Sequence, residues 1–259
     1  MPILEEKLDA LSCMKKYPAS LFFSGNTELL QKVKISIVGT RRPSKYTREF
    51  TQKLASALGR RNICVVSGGA MGVDAIAHAG AGTQNTIAVL PCGIDIKYPS
   101  VNKNLLTSIE EKGLILSQFE LGFKSRPWTF VTRNELVVAL GEVLVVCEAD
   151  LKSGSMRSVE YAFAMGKDIY VLPQRLGESF ATNELLESGR AKAIYNIDSF
   201  VNLFADEQSD KNNIIQDEFL EFCSTNPSYE MTLQKFPARV FEAELNSEIE
   251  ILNGQIILK

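Results

Sequence analysis

The sequence predicts an α/β fold in which a mainly parallel, doubly wound sheet is followed by a second, smaller domain. The first supporting observation is composition. Of 259 residues, 45% are hydrophobic, and 28 Lys and Arg balance 31 Asp and Glu, which favours a folded chain over a disordered one. The second is that short β-branched runs alternate with stretches of helical apolar spacing. The third is a change in net charge near residue 206, which indicates a domain boundary.

Seven short apolar runs in the larger part have the length and β-branched content of buried strands. They are Lys34–Val38, Ile63–Ser67, Thr86–Leu90, Leu114–Ser117, Val143–Cys147, Asp168–Leu172 and Ala193–Tyr195. Between them, five stretches carry apolar residues at helical spacing. They are Tyr46–Leu58, Val73–Ala79, Asn102–Glu111, Arg133–Leu140 and Ser158–Met165. Strands and helices that alternate in this way predict a parallel sheet covered on both faces.

Residues 206–259 differ from the rest of the chain in charge and in pattern. They hold 4 Lys and Arg against 11 Asp and Glu, whereas residues 1–205 hold 24 against 20. Helices over Ile214–Cys223 and Ala238–Leu245, followed by a hairpin over 248–258 with an Asn-Gly turn, are similar to a small winged-helix module. A net charge of −7 makes duplex binding a poor prediction for this part. A protein-contact role and a stabilising cap both remain open.

Composition also excludes several kinds of chemistry. The five cysteines include no C-x-x-C pair, so we expect reduced, mostly buried thiols in the cytoplasm and no zinc site. His78 is the only imidazole, and we expect it to pack or hydrogen-bond within its helix. We therefore expect no metal and no catalytic triad, and no cofactor. The N-terminus lacks the features of an export signal, and no apolar run is long enough for a membrane span.

Two glycine-containing turns follow predicted strands and suit an anion. In Ile35–Ser44, the strand ends at Gly39, and Arg41 and Arg42 add positive charge ahead of a helix N-terminus. In Val65–Asp74, Ser67, Gly68 and Gly69 let a phosphate approach the main chain. The spacing fits neither a dinucleotide-binding fingerprint nor a P-loop. Alternatively, the glycines are tight turns and the arginines are solvated.

A third segment interleaves cations with aromatic rings. Lys124–Asn134 contains Trp128 and Phe130 among basic residues, and Lys152–Arg157 follows the next predicted strand. Flat rings and cations together are typical of single-stranded nucleic-acid binding, because bases stack on the rings while the cations contact phosphates. The rings could instead anchor the loop in the core. Since all three segments lie at carboxyl ends of strands, we expect one continuous basic site.

These segments, taken with their order and spacing, resemble the DprA family, also called DNA-processing protein A or Smf, of bacterial natural transformation. The resemblance covers nearly the whole chain and is carried by Tyr17-Pro18, Ile37–Ser44, Val65–Ala70, Gly72–Asp74, Ala77-His78, Thr86–Leu90, Tyr98-Pro99, Arg133-Asn134 and Ser153–Ser155. Three positions depart from the family pattern, namely Thr47, Gln118 and Pro173–Arg175. These departures affect the expected loop contacts more than the expected basic pocket.

The resemblance implies an extended Rossmann-like domain over residues 1–205 that binds single-stranded DNA in a basic pocket and homodimerises. It also implies loading of RecA onto strands displaced from single-strand-binding protein, with no turnover reaction. The acidic, winged-helix-like domain would cover residues 206–259. The residues expected to bind DNA are Gly39, Thr40, Arg41, Arg42, Ser67, Gly68, Gly69, Arg126, Phe130, Arg133, Asn134, Lys152, Ser153 and Gly154.

One alternative is an enzyme, a related nucleotide hydrolase of the nucleoside-monophosphate phosphoribohydrolase type. That group depends on a Pro-Gly-Gly-x-Gly-Thr-x-x-Glu signature whose glutamate serves catalysis. The nearest glycine cluster here, Ser67–Gly72, lacks that glutamate. A structural dimerisation scaffold is a third possibility, but it leaves the convergence of cations unexplained.

Overall fold

The computed structural model describes residues 3–205, 218–223, 225–245, 248–252 and 254–258. The chain divides into two compact units, Met1–Asp206 and Glu207–Lys259. No helix within the described ranges is both long and apolar enough to cross a bilayer.

The first unit is built on an eight-stranded sheet. In chain order, the strands are β1 (Phe22–Gly25), β2 (Lys34–Val38), β3 (Cys64–Ser67), β4 (Thr86–Leu90), β5 (Leu114–Ser117), β6 (Val143–Val146), β7 (Ile169–Val171) and β8 (Lys192–Ala193). Their order across the sheet is β1-β5-β4-β3-β2-β6-β7-β8. Only β1 is antiparallel to its neighbour, and all other pairs are parallel. The predicted fold class is confirmed.

Seven helices accompany the sheet in this unit. They are α1 (Lys45–Arg60), α2 (Val73–Ala81), α3 (Lys103–Lys112), α4 (Pro127–Leu140), α5 (Gly154–Ala164), α6 (Phe180–Glu187) and α7 (Ile197–Asn202). Successive side chains along each strand point to opposite faces of the sheet, so each strand contributes to the core on both faces. Ile35 and Ile37 are buried among residues of α1, α2 and α7, whereas Val38 is buried among residues of α4 and α5. The result is a three-layer α/β/α arrangement.

The strand order reverses direction at β2, and this determines where a ligand can bind. From β2 the chain first adds β3, β4 and β5 on one side, and then crosses through α4 to add β6, β7 and β8 on the other. In doubly wound sheets, the loops at the carboxyl ends of strands on either side of such a switch point diverge and leave a crevice. Here the diverging loops follow β2, β3 and β6.

Several element boundaries differ from the sequence predictions. Helix α4 begins at Pro127 instead of Arg133, because proline is favoured at the first helical position and the Thr129 hydroxyl accepts a hydrogen bond from the Arg126 amide at 3.0 Å. The basic segment predicted as a loop is therefore mostly the first turns of a helix. The short antiparallel strand β1 and helices α6 and α7 were not predicted.

The second unit contains α8 (Glu218–Cys223), α9 (Tyr229–Lys235) and α10 (Pro237–Leu245), then β9 (Ile249–Leu252) and β10 (Gln255–Leu258). The strands pair as an antiparallel hairpin in which Leu252 is opposite Gln255, as the sequence predicts. Asn253 of the predicted turn and residues 214–217 of the predicted helix lie outside the described residues. Helix α9 was not predicted. A small apolar core joins these elements, including Phe219, Val240, Ile249 and Ile256.

Candidate nucleic-acid interface

A cavity of about 520 Å³ opens at the switch point, between the loops that follow β2, β3 and β6 and the side of α4. Its walls contain ten of the fourteen residues predicted to bind DNA. They are Gly39, Thr40, Arg41, Arg42, Gly68, Phe130, Arg133, Asn134, Ser153 and Gly154. The fold thus brings together residues separated by more than a hundred positions in the sequence.

Arg41 and Arg42 supply the cavity's accessible positive charge. Both side chains are exposed, and neither has an ion-pair partner among the described residues. The Arg41 guanidinium lies over the Phe130 ring, with 5.7 Å between its central carbon and the ring centroid. Exposed, unpaired arginines bind phosphate oxygens without first breaking another salt bridge.

A narrower apolar cleft adjoins the cavity and shares Arg41, Gly68 and Phe130 with it. Tyr98 forms its far side and packs edge-on against Phe130, with ring centroids 5.8 Å apart. Met71, which is 43% exposed, completes the rim. Charge on one side and aromatic surface on the other suit a nucleotide better than an isolated anion.

Arg133 does not present its charge to the cavity as an open phosphate ligand. Its side chain is only 5% exposed, and one guanidinium nitrogen donates to the carbonyls of Gly68 and Val89. Asp74 lies beside it and accepts hydrogen bonds from the amides of Gly68 and Ala70, both at 3.2 Å. Arg133 therefore holds the carbonyl of Gly68, and Asp74 holds its amide.

Burial controls the ionisation of this pair. Desolvation raises the pKa of the Asp74 carboxyl, while Arg133 and the loop amides oppose that rise. Desolvation likewise lowers the pKa of Arg133, opposed by Asp74. Each charge is tolerated in the interior because the other is adjacent and hydrogen bonds satisfy both. A side chain at Gly68 would displace the Arg133 guanidinium or the Asp74 carboxylate, so a substitution there would disturb this arrangement.

A hydrogen-bond chain extends from this pair across α4 to the loop after β6. The Arg133 Nε donates to the Asn134 side-chain oxygen at 3.0 Å, and the Asn134 amide nitrogen donates to the Gly154 carbonyl at 3.3 Å. Two walls of the cavity, the glycine loop after β3 and the start of α5, are thereby tied to one helix. In this geometry Arg133 and Asn134 hold the two walls in place.

Some amides of the first two turns, which we expected to be open to an anion, are hydrogen-bonded within the protein. At the start of α1, the Ser44 hydroxyl accepts from the Thr47 amide at 3.1 Å, and the Glu148 carboxylate accepts from the Ser44 amide at 3.0 Å. At the second turn, the amides of Gly68 and Ala70 donate to Asp74. These four amides are therefore already satisfied by the protein's own groups.

Four predicted residues do not line the cavity, and each has a physical reason. Ser67 is fully buried and donates its hydroxyl to the Ile37 carbonyl at 2.7 Å. Gly69 is buried, and its carbonyl accepts from Asn102 at 3.0 Å. Arg126 lies at the N-cap of α4, over the Phe123 ring at 5.8 Å. Lys152 is exposed on the loop after β6.

Trp128 and Phe130 do not form one surface. Residues two positions apart on a helix point in different directions. Phe130 faces the cavity, whereas Trp128 packs edge-on against Phe119 and Phe123, with centroids 5.6 and 6.0 Å apart. Trp128 remains 51% exposed, but it belongs to a separate aromatic cluster.

Two positions that depart from the family pattern contact each other at the base of the Arg41 loop. The Gln174 amide nitrogen donates to the Thr47 hydroxyl at 3.0 Å and to the Cys147 carbonyl at 2.8 Å. A glycine at position 47 would offer no such acceptor. The departures are therefore linked, and they fix the start of α1 to the loop after β7.

The cavity wall includes polar residues that the sequence analysis did not assign to binding. These are Asp74, Glu148, Asp150, Ser155 and Ser158. Glu148 and Asp150 follow a predicted strand close to the basic segments, and that position could have indicated that they line the cavity. Ser158 lies one helical turn after Gly154, and that spacing could have indicated a shared face.

His78 is a buried structural residue, as predicted. Its Nδ1 lies 2.6 Å from the Thr86 hydroxyl, which itself donates to the Val65 carbonyl. Nδ1 is then the donor and the imidazole is neutral. Burial, helped by the charge of Arg133, lowers the pKa of His78 to about 3. No cluster of metal-ligating side chains occurs in the described part of the chain.

The fold is Rossmann-like, and an arginine-lined cavity lies at the carboxyl edge of its sheet. Residues 6–205 match the family model described as DNA recombination-mediator protein A. The chain belongs to this family.

Known relatives agree with this assignment. The chain is 34% identical over 177 residues to DNA processing protein DprA of Streptococcus pneumoniae and 33% identical over 183 residues to that of Bacillus subtilis. These matches cover 66% and 69% of this chain, and 62% and 61% of the relatives. Against a Smf protein of Synechocystis, the match spans only 35% of the relative.

Two solved structures are similar to most of the chain. One is a structure of DNA processing protein A from Helicobacter pylori that describes the single-stranded DNA binding mode of that protein. It shares 44% identity and a TM-score of 0.76, covering 78% of this chain and 94% of that one. The other is DprA from Streptococcus pneumoniae, with 32% identity, a TM-score of 0.71 and coverage of 78% and 72%.

Proposed function

We propose that this protein binds single-stranded DNA at the switch-point cavity and acts as a recombination mediator. The observation that carries the proposal is that Arg41 and Arg42, both exposed and without an ion-pair partner among the described residues, line one cavity with Phe130, and that Arg41 lies over the Phe130 ring. The single-stranded DNA binding mode of the Helicobacter pylori relative, at 44% identity, supports it.

Binding would divide between charge and stacking. Arg41 and Arg42 would neutralise backbone phosphates, with Lys152 and Arg126 as outlying cations on the two flanks. Bases would stack near Phe130, with little sequence preference because every base presents a flat face. Duplex DNA would bind less well, since its bases already stack on one another.

Family membership also supports a proposed role in the cell. The protein would protect incoming strands during natural transformation in the cytoplasm and help to load RecA, with displacement of single-strand-binding protein. A homodimer would join two cavities on one strand and raise avidity through effective concentration. The second unit would be a winged-helix-like module that contacts protein instead of phosphate.

The hydrolase alternative is not favoured. Its signature, with a catalytic glutamate after the glycines, is absent from the sequence. The carboxylates nearest the glycine loop are engaged in structure, since Asp74 accepts two amide hydrogen bonds and Glu148 accepts one. We propose no turnover reaction.

Fluorescence anisotropy of labelled oligothymidine tests the proposal. We expect binding by the wild type that weakens as salt rises and that unlabelled duplex competes for poorly. Arg41→Ala should lower affinity at least about tenfold, since a charge-assisted hydrogen bond contributes about 1.5–3 kcal/mol. Absence of binding by the wild type at low salt would eliminate the proposal.

Arg60→Ala is the matched control. Arg60 is an exposed arginine at the last turn of α1. Because α1 starts at the carboxyl edge of the sheet and runs back, Arg60 lies at the opposite edge from the cavity. The substitution removes the same charge, so affinity close to wild type would assign the Arg41 effect to the cavity and not to net charge.

A further inference from the structure

A second cavity, of about 240 Å³, lies beside the start of α1 and is lined by Tyr46, Pro173, Gln174 and Arg175. No described residue lines both this Tyr46 cavity and the switch-point cavity. None of its lining residues was expected to bind DNA, and the segment Pro173–Arg175 departs from the family pattern. A ligand site here would therefore go beyond what the family resemblance implies.

The two cavities flank the same helix start. The amide of Ser44, the N-cap residue of α1, donates to Glu148 in the wall of the switch-point cavity. The Thr47 hydroxyl accepts from Gln174 in the wall of the Tyr46 cavity at 3.0 Å. Gln174 also donates to the carbonyl of Cys147, just after β6, so both cavities lie at the carboxyl edge of the sheet. A strand that leaves one cavity across the start of α1 would meet the other.

The Tyr46 cavity combines a flat ring with a positive charge. Tyr46 is partly exposed, and its ring packs against Phe50 with centroids 4.6 Å apart, which holds the orientation of the ring. Arg175 is exposed and has no ion-pair partner in the part of the chain that the structure describes. A ring on which a base can stack, beside an unpaired cation for its phosphate, is a combination typical of single-strand binding.

The loop that carries Arg175 is held in place by hydrogen bonds. The Asn183 side-chain amide donates to the carbonyls of Arg175 and Glu178, at 3.2 and 2.9 Å. The Glu178 amide also donates to the Arg175 carbonyl, at 3.0 Å. Gln174 is held against α1 by its hydrogen bond to Thr47. Binding would therefore order little additional backbone, which keeps its entropic cost small.

The charges around the Tyr46 cavity are mostly positive. Lys45 and Arg48 are exposed in the first turns of α1, and neither forms an ion pair with a described residue. Two acids lie on the same elements. Glu49 forms an ion pair with Lys53 at 2.9 Å, and Glu178 is exposed on the loop after β7. The balance of charge favours an anionic ligand.

We propose that Tyr46 and Arg175 form a second nucleotide subsite, which receives the DNA strand where it leaves the switch-point cavity. The subsite rests on the proposed function. The base of one nucleotide would stack on Tyr46, and Arg175 would contact the adjoining phosphate. The subsite would lengthen the stretch of single strand that one protein molecule covers. Strands too short to reach both cavities would not use it.

Anisotropy with oligothymidines of increasing length, from about 4 to about 16 nucleotides, tests the subsite. Arg175→Gln should lower affinity for the long strands about tenfold and reduce the salt slope by about 0.7. The short strands should bind this variant as they bind the wild type. Tyr46→Leu should lower affinity for the long strands about fivefold or more, because stacking is lost. It should leave the salt slope unchanged, because no charge is removed.

Two variants are matched controls. Arg60→Gln removes an exposed arginine from the opposite edge of the sheet, and Tyr46→Phe keeps the ring, so both should bind long and short strands like the wild type. If folded Arg175→Gln and Tyr46→Leu proteins bind the long strands like the wild type while Arg41→Ala does not, the subsite is wrong and the proposed function stands. Losses that are equal for short and long strands would also overturn a separate subsite.

A second measurement separates the two proposals when no strand binds. Thymidine monophosphate is titrated into the full chain while backbone amide resonances are followed by NMR. We expect shifts at Tyr46 and Arg175, and we expect the shift at Tyr46 to weaken in Arg175→Gln. Such shifts without oligothymidine binding would retain a nucleotide site and remove the DNA function. No shift at either residue would overturn the subsite.

Discussion

The buried pair of Arg133 and Asp74 provides a sharp test of how the cavity works. If Arg133 positions the Gly68 loop, removing its charge should not change the number of ions released when DNA binds. If it contacts phosphate, that number should fall. The salt dependence of affinity distinguishes the two, because each phosphate contact adds about 0.7 to the slope for a single strand.

The perturbation needs two substitutions. Arg133→Gln alone leaves the buried Asp74 carboxylate unpaired, and breaking such a pair costs about 3–5 kcal/mol of folding free energy. Adding Asp74→Asn removes the orphaned charge. The introduced asparagine keeps an oxygen for the amides of Gly68 and Ala70, and the introduced glutamine keeps one donor for the Gly68 carbonyl. Most of the lost stability should therefore return in the double variant.

The assay is oligothymidine anisotropy between about 50 and 200 mM salt, with a thermal melt of each variant. Arg41→Gln, which removes an exposed arginine, should lower the slope by about 0.7. Over this roughly fourfold range, its affinity should therefore fall about 2.6-fold less than that of the wild type. The double variant should bind more weakly than wild type but with the wild-type slope. A slope reduced as much as in Arg41→Gln would refute the positioning role and make Arg133 a phosphate ligand.

Two further predictions concern stability and domain roles. Because the pKa of His78 falls from 6.5 to about 3 on folding, the unfolded state takes up a proton first as pH drops, so unfolding free energy should decrease by about 1.6 kcal/mol between pH 6.5 and 5. Urea unfolding against pH checks this, and the same decrease in His78→Gln would rule His78 out as its cause. Deletion of residues 207–259 should leave oligothymidine affinity within about twofold of wild type; a large loss in a folded first unit would give the acidic unit a direct part in binding.

The sequence by itself determined the fold class and the rough position of the site. Residues 143–147 form a continuous apolar run, and Lys34–Val38 and Thr86–Leu90 are short and mostly apolar, which is the pattern typical of strands buried on both faces. Parallel strands place their carboxyl ends at one edge, so the glycine turns and the basic segments had to converge there. The Asn-Gly pair likewise indicated the terminal hairpin.

Tertiary structure decided which polar groups face the ligand. Arg41 and Arg133 are the same residue type near glycine turns, yet one is exposed and the other donates to two buried carbonyls. The difference arises because α4 starts at Pro127 and turns position 133 toward the Gly68 loop. The hydrophobic periodicity of a single segment cannot predict this difference in exposure, because the hydrogen-bond partner of each donor is distant in the sequence.

The same reason separates the three junctions around the cavity. Ser44 and Ser153 look alike in sequence, since each precedes a helix after a strand. At one junction the Ser44 hydroxyl accepts from the Thr47 amide, and Glu148, more than a hundred residues away, accepts from the Ser44 amide, whereas at the other the Ser153 side chain makes no capping hydrogen bond. Local propensity determines that a helix begins. Only packing decides which side chains cap it.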